Sequence, residues 1–181
     1  ALDGALDCLD RALIVLDGPD TSHITCRALA SQRFEVTFTG PGGHSWSDSG
    51  VPNAVHAISR AITLFSEHRA TNPASRPRSS YNFGIIDGGN SINSIPSHAR
   101  VKVDLRSESD EVLDELVTLL NACVERATEV ENSRASSGRI QNRVKAVGFR
   151  PAGELAENAP LVQSIRAVDS YLGIKAHPDC A

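Results

Sequence analysis

The chain of 181 residues has a formal net charge of −4, with 40% apolar and 22% charged residues, the make-up of an ordinary globular protein long enough to bury a core. It shows no basic stripe, which excludes nucleic acid as a main partner, because phosphate binding needs an excess of Lys and Arg on one face. Its longest apolar runs are too short to span a bilayer, and no basic region with an apolar core opens the N-terminus, so no membrane partner is expected and a cytoplasmic location is the default.

Cys8, Cys26, Cys123 and Cys180 are scattered, without the Cys-x-x-Cys spacing of a zinc site or redox pair, and read as reduced, mostly buried thiols. The chain opens on Ala1-Leu2-Asp3, contains no Met and stops at Cys180-Ala181. It therefore reads as a fragment of a longer protein.

Ala12 to Leu16 is a continuous apolar run closed by Asp17-Gly18-Pro19, the pattern of a strand buried on both faces. Asp17 then stands at the strand's carboxyl end, where open α/β sheets place ligand-binding groups, although an Asp before Gly-Pro is also a plain turn former. Ile24 to Ala28 is a short, mostly exposed strand. From Arg33 to Thr39, Phe34, Val36 and Phe38 alternate with polar residues, as in a sheet with one wet face. This change of character puts a domain boundary near Leu29-Ala30-Ser31.

The strand runs into Gly40-Pro41-Gly42-Gly43-His44-Ser45-Trp46. Glycines let the chain bend sharply there and present the His44 imidazole; a solvated loop histidine without a task is the competing reading. Pro52-Asn53 opens a helix with Val55, Ile58, Ile62 and Phe65 on one face, ending by about Arg69. Its His56 and His68 are read as flank or surface residues. Ala70 to Ser79 is a loop rich in Pro, Arg and Ser.

Tyr81, Phe83 and Ile85 mark a second half-buried strand that breaks at Asp87-Gly88-Gly89. Asn90 to Pro96 is a loop, and in the third strand Val101, Val103 and Leu105 oppose Arg100, Lys102, Asp104 and Arg106. Ser109 with Asp110 and Glu111 starts a long helix whose core stripe is Leu113, Leu116, Val117, Leu120, Val124 and Ala127. Ile140 to Val147 is a weaker fourth strand. Pro160 opens a further helix carrying Leu161, Ile165, Val168 and Leu172, stopped by Gly173, and Ile174 to His177 reads as the start of a buried strand.

The order strand, helix, strand, strand, helix, strand predicts an α+β module: a four-stranded antiparallel sheet with both helices on one face, the ferredoxin-like β-α-β-β-α-β arrangement. Its flanks, residues 1–30 and 149–181, read as edges of one α/β domain into which residues 31–148 are inserted, with the two ends of the insert close together.

Gly40-Pro41-Gly42-Gly43-His44-Ser45, Asn53-Ala54, Gly88-Gly89 with Asn93-Ser94-Ile95-Pro96, and Val103-Asp104-Leu105-Arg106, in that order, resemble the two-zinc exopeptidases and deacylases. This family includes acetylornithine deacetylase, succinyl-diaminopimelate desuccinylase, tripeptidase, aminoacylase and glutamate carboxypeptidase. The resemblance implies a zinc-binding catalytic domain interrupted by a smaller lid that also forms a homodimer. Residues 1–30 would end the first catalytic half, 31–148 would be the lid and dimerisation domain, and 149–181 would begin the second half.

The resemblance also implies roles. His44 matches the lid histidine that reaches the partner subunit's site and polarises the scissile carbonyl, Asn93 the lid asparagine, and Arg106 the arginine that holds the substrate carboxylate. Asp17 resembles a carboxylate ligand to one of the metals, with Asp10 as the fallback. Taken singly, Arg106 is equally a surface arginine paired with Asp104 or Glu108, and Asn93 a turn residue.

The remaining metal ligands and the general base of that family have no match in the chain. Two Zn ions are thus expected in the complete enzyme, none stably on this chain, and the chain alone is expected to be inactive. The substrate would be a small peptide or N-acyl amino acid. A free-standing, dimerising module that binds an amino acid through Arg106 and Asn93 is the alternative. A serine or cysteine hydrolase built on His44 is disfavoured, because no Gly-x-Ser-x-Gly elbow occurs.

Overall fold

The computed structural model describes residues 14–16, 21–69 and 77–180. The strands are β1 (His23–Ala28), β2 (Ala30–Thr39), β3 (Gly43–His44), β4 (Ser79–Gly88), β5 (Ser94–Ile95), β6 (His98–Ser107), β7 (Gln141–Arg150), β8 (Gly153–Glu154) and β9 (His177–Cys180). The helices are α1 (Ala54–Arg69), α2 (Asp110–Arg134) and α3 (Pro160–Leu172). They fall into two compact units, Leu29–Ala152 and the segments on either side of it.

In the larger unit the four long strands form one sheet in the order β4-β6-β2-β7, every pair antiparallel, and β3 and β5 pair separately. This is the expected α+β, ferredoxin-like arrangement, with β2 and β4 split by β6. Alternation along β2 and β6 turns Phe34, Val36 and Phe38, and Val101, Val103 and Leu105, onto the face covered by α1 and α2. There they meet Ile58 and Phe65 of α1 and Leu113, Leu116, Leu120 and Val124 of α2. Each such side chain contributes about 1.5–3 kcal/mol by leaving water.

The other sheet face carries Arg33, Glu35, Arg100, Lys102, Asp104 and Arg106, all partly exposed or exposed. The unit begins and ends at one place: Ser31 is paired with Arg150, and the Arg150 Nε donates to the Leu29 carbonyl at 3.1 Å.

The caps follow from the sequence. Ser109 Oγ accepts from the Val112 amide at 3.3 Å, with Asp110 and Glu111 in the first turn of α2, where acids suit the positive helix end. At the head of α1, Asn53 Oδ1 accepts from the Val55 and His56 amides at 2.9 and 3.1 Å. The Asn53 amide in turn donates to Glu131 Oε1 of α2 at 3.0 Å.

Glu131 is 7% exposed, so its carboxylate staples the two helices from inside. Glu131→Ala is expected to cost about 2–3 kcal/mol, since the Asn53 amide is left unpaired in a largely buried place. Glu131→Gln keeps an acceptor oxygen and should cost about 1 kcal/mol or less. Urea denaturation of both variants checks this; equal losses would assign the effect to packing instead.

Several sequence expectations need correction. Ile14, Val15 and Leu16, the described part of the Ala12–Leu16 run, lie in no strand and are 56%, 69% and 97% exposed; Ala12 and Leu13 lie outside the described residues. A continuous apolar run is buried only where other layers cover both its faces. Ile85 does not continue the inward row of Tyr81 and Phe83. A bulge at Gly84 takes the register from Phe83↔Val103 to Ile85↔Lys102, an extra residue that turns Ile85 to the opposite face. The loop expected over Ala70–Ser79 falls largely on residues 70–76, outside the described set, and Ser79 already begins β4.

In the smaller unit β1 pairs antiparallel with β8 and parallel with β9. Of α3 the buried residue is Val162; of the apolar residues read from the sequence, Leu161 and Ile165 are half-buried and Val168 and Leu172 exposed. Gly173 ends α3 in the left-handed conformation, φ 71°, which glycine alone adopts without strain. The strand expected at Ile174 starts later, at His177. Among the described residues, no helix is long and apolar enough to cross a membrane.

Candidate functional site

Beyond the end of β2 the glycine turn is zipped to the loop before β6. The Gly40 amide donates to the Ser97 carbonyl at 2.8 Å, β3 pairs antiparallel with β5 (Gly43↔Ile95, His44↔Ser94), and the Ser45 amide donates to the Asn93 carbonyl at 2.9 Å. Two glycines make this approach possible. Gly42 sits at φ 69°, and a Cβ there would stand 2.9 Å from Ser97 Cβ; a Cβ on Gly43 would stand 2.8 Å from the Asp48 carboxylate. Side chains cannot occupy such space without moving the turn.

His44 is exposed at the tip. Its backbone amide donates to Asp48 Oδ2 at 2.7 Å and its carbonyl accepts from the Asp48 amide at 2.9 Å. The ring is oriented too: Nδ1 accepts from the amides of Trp46 and Ser47 at 3.3 and 3.4 Å. With Nδ1 an acceptor, the neutral ring carries its proton on Nε2, a donor with no partner among the described residues.

Asn93 stands beside it across the ribbon, exposed, its Oδ1 accepting from Ser91 Oγ at 2.6 Å. A cleft of about 440 Å³ adjoins the ribbon, lined by Gly42, Gly43, Gly88, Gly89, Ser94 and His98 among others. The structure thus brings His44 and Asn93 together.

Arg106 is elsewhere. His98, at the ribbon end of β6, pairs with Thr39, whereas Arg106 pairs with Ser31 and Ser80 at the other end. Eight residues of strand separate them, about 27 Å. The Arg106 Nε donates to Asp104 Oδ2 at 2.7 Å, and the Arg33 Nε donates to Asp104 Oδ1 at 3.1 Å. Partial burial raises the pKa of the Asp104 carboxyl, but the hydrogen bonds and charges of Arg106 and Arg33 outweigh it and hold it below the usual carboxylate range. Of the two partners considered for Arg106, the structure selects Asp104; Glu108 Oε2 instead accepts from the Arg78 amide at 3.0 Å.

Asp17 and its fallback Asp10 lie outside the described residues. Among the described residues no three His, Cys, Asp or Glu side chains converge as metal ligands. His56 is exposed, with Nδ1 3.9 Å from Glu131 Oε1. Cys26 and Cys123 are free thiols, and burial pushes the Cys123 thiol up. Sequence reasoning missed Asp48, which holds the His44 backbone, and Arg33, which shares Asp104. Neither stands in a motif, and both act through contacts that the fold creates.

Comparison with known proteins bears on this arrangement. The pattern of the peptidase dimerisation domain of the M20 type matches residues 30–132. The chain is 29% identical over 118 residues to an acetylornithine deacetylase of Photorhabdus laumondii, covering 61% of this chain and 31% of that protein. It is 30% identical over 148 residues to the acetylornithine deacetylase of Edwardsiella ictaluri, covering 78% of this chain and 36% of that one. The chain therefore spans about a third of the length of these curated relatives.

Among solved structures, a tripeptidase from Staphylococcus aureus superposes with a TM-score of 0.72 at 16% identity, over 91% of this chain and 41% of that one. An amidase of the hydantoinase/carbamoylase family from Burkholderia vietnamiensis gives a TM-score of 0.72 at 19% identity, over 87% and 36%; at such identities the likeness is one of fold. The sheet with its two covering helices and the match over residues 30–132 agree, and the chain belongs to the M20 peptidase dimerisation domain family.

Proposed function

We propose that the chain is the lid and dimerisation portion of a zinc-dependent exopeptidase or deacylase, which hydrolyses an amide bond near a substrate carboxylate. In this reading residues 31–148 are the lid, with residues 1–30 and 149–181 belonging to the two halves of a catalytic domain that holds two zinc ions. The substrate is a small peptide or an N-acyl amino acid, and the enzyme is a cytoplasmic homodimer. The metals supply Lewis acidity. This chain supplies orientation and charge stabilisation, and by itself it does not turn over.

The observation that carries the reading is the His44 ring, fixed by two backbone amides on Nδ1 with Nε2–H left as an outward donor. Such a donor suits an oxyanion that develops on a carbonyl oxygen. Asn93, with an amide nitrogen unengaged among the described residues, is a second donor at the same end. Arg106 holds the substrate carboxylate through its free guanidinium edge.

Since His44 and Arg106 stand at opposite ends of one sheet, a small substrate meets both only if they come from different protomers. Co-expression of His44→Ala and Arg106→Ala chains of the full-length enzyme tests this. Each variant alone is expected to be nearly inactive, whereas random mixing restores about a quarter of wild-type activity, because half of the dimers then hold one intact site of two. Mixed dimers no more active than the parents would refute the assignment.

A further inference from the structure

The charges on the open sheet face are not evenly matched. Toward the ribbon end, Arg100 is 2.8 Å from Asp87 and 3.5 Å from Glu35, and Lys102 is 3.8 Å from Glu35, with Arg143 and Lys145 of β7 paired beside Thr37 and Glu35 in the same rows. Toward the other end Arg33 and Arg106 share the single carboxylate of Asp104, one on each oxygen. Within this group of three one positive charge is left over, and both guanidiniums use Nε alone, so their terminal nitrogens have no partner among the described residues. A guanidinium held at Nε presents its two terminal nitrogens as a planar fork fitted to a carboxylate.

The surrounding rows are polar. Ser80, Arg106, Ser31 and Arg150 lie side by side across the four strands, as do Asn82, Asp104, Arg33 and Gly148, and paired residues share a sheet face. Ser80 and Asn82 are exposed. No large apolar side chain stands in either row.

We infer that Arg33 and Arg106, clasped by Asp104, form a receptor for a dicarboxylate, with Arg33 taking the second carboxylate and Asp104 positioning both forks. The inference rests on the reading of Arg106 as the substrate-carboxylate residue and deepens it: the preferred substrates carry a second carboxylate, on the amino acid or on the acyl group. A single carboxylate needs one fork, and two forks set on one aspartate select a dianion by geometry.

The test is a titration of the 181-residue chain, labelled with nitrogen-15, against succinate and against acetate, following the arginine Nε–Hε signals. Succinate is expected to shift Arg33 and Arg106 together along one saturating curve, with acetate binding about tenfold more weakly. Arg33→Gln should bring succinate down to the affinity of acetate.

Asp104→Asn is the decisive variant. It removes a negative charge beside the anion, so net charge alone would tighten succinate binding, whereas lost orientation weakens it, by about fivefold or more. Tighter or unchanged binding in Asp104→Asn, or no preference for succinate in the wild-type chain, overturns the inference. The titration involves neither metal nor turnover, so its failure is separate from a failure of the hydrolase reading, which the mixed-dimer activity decides.

Discussion

Alanine in place of His44 in the full-length enzyme is expected to lower kcat about a hundred- to thousandfold while KM changes by no more than a few fold. In the proposed role the imidazole meets little charge on a ground-state carbonyl and nearly a full charge on the tetrahedral oxyanion, so its hydrogen bond strengthens in the transition state. The orientation is already built into the glycine turn. Nδ1 is occupied by the Trp46 and Ser47 amides, and the backbone is held by Asp48 and by the β3–β5 ribbon.

The Asp48 and ribbon contacts do not need the ring, and the Trp46 and Ser47 amides that lose Nδ1 belong to exposed residues where water can replace it, so the loop should survive the substitution. Steady-state kinetics together with an unchanged unfolding midpoint check the claim. His44→Gln, which retains an N–H donor, should recover part of the lost turnover. A turnover number equal to wild type would take His44 out of the chemistry.

The largest effect on stability is expected at Phe65. Its side chain has 0% exposure and meets Tyr81 and Phe83 edge-to-face, with ring centroids 5.0 and 5.6 Å away. It is the aromatic contact between α1 and the edge strand β4. Phe65→Ala removes the buried ring and leaves a cavity walled by two other rings and a sheet, which can relax only in part. The expected loss is about 3–5 kcal/mol in chemical denaturation.

Ile85 provides the contrast. It is a large apolar residue of the same β4, 53% exposed beyond the Gly84 bulge, and Ile85→Ser should change stability by about 0.5 kcal/mol or less. Comparable losses at the two positions would mean that the bulge does not divide the strand as described.

Most of the larger unit was legible in order of residues. Alternation over Arg33–Thr39 and over Arg100–Arg106 assigned inward and outward faces correctly, because a strand with one wet face must alternate. The Ser109 cap and the glycine after α3 gave helix ends close to those observed, since free amides and left-handed turns demand particular residues.

What went astray did so where neighbours decide. The Ala12–Leu16 run lacks cover over its described residues, and Ile85 turns over at a bulge. Periodicity reports which residues could be buried together, and burial itself requires something to pack against them.

The candidate site residues divide in the same way. The motifs around His44, Asn93 and Arg106 pointed to an amide hydrolase lid as a set, yet they carried no distance between the three. The ribbon that joins His44 to Asn93, the sheet length that separates both from Arg106, and the carboxylate that Arg33 and Arg106 share each depend on strand register.

By itself the sequence determined the order of elements and the faces of the central strands, because local periodicity, capping and glycine placement are properties of neighbouring residues, and its motifs carried the resemblance to the family. Only the tertiary structure decided which of the singled-out side chains stand together. Pairing across β2, β4 and β6 sets that, through contacts between residues as far apart in the chain as Arg33 and Asp104, and no local pattern records which partner a strand will meet.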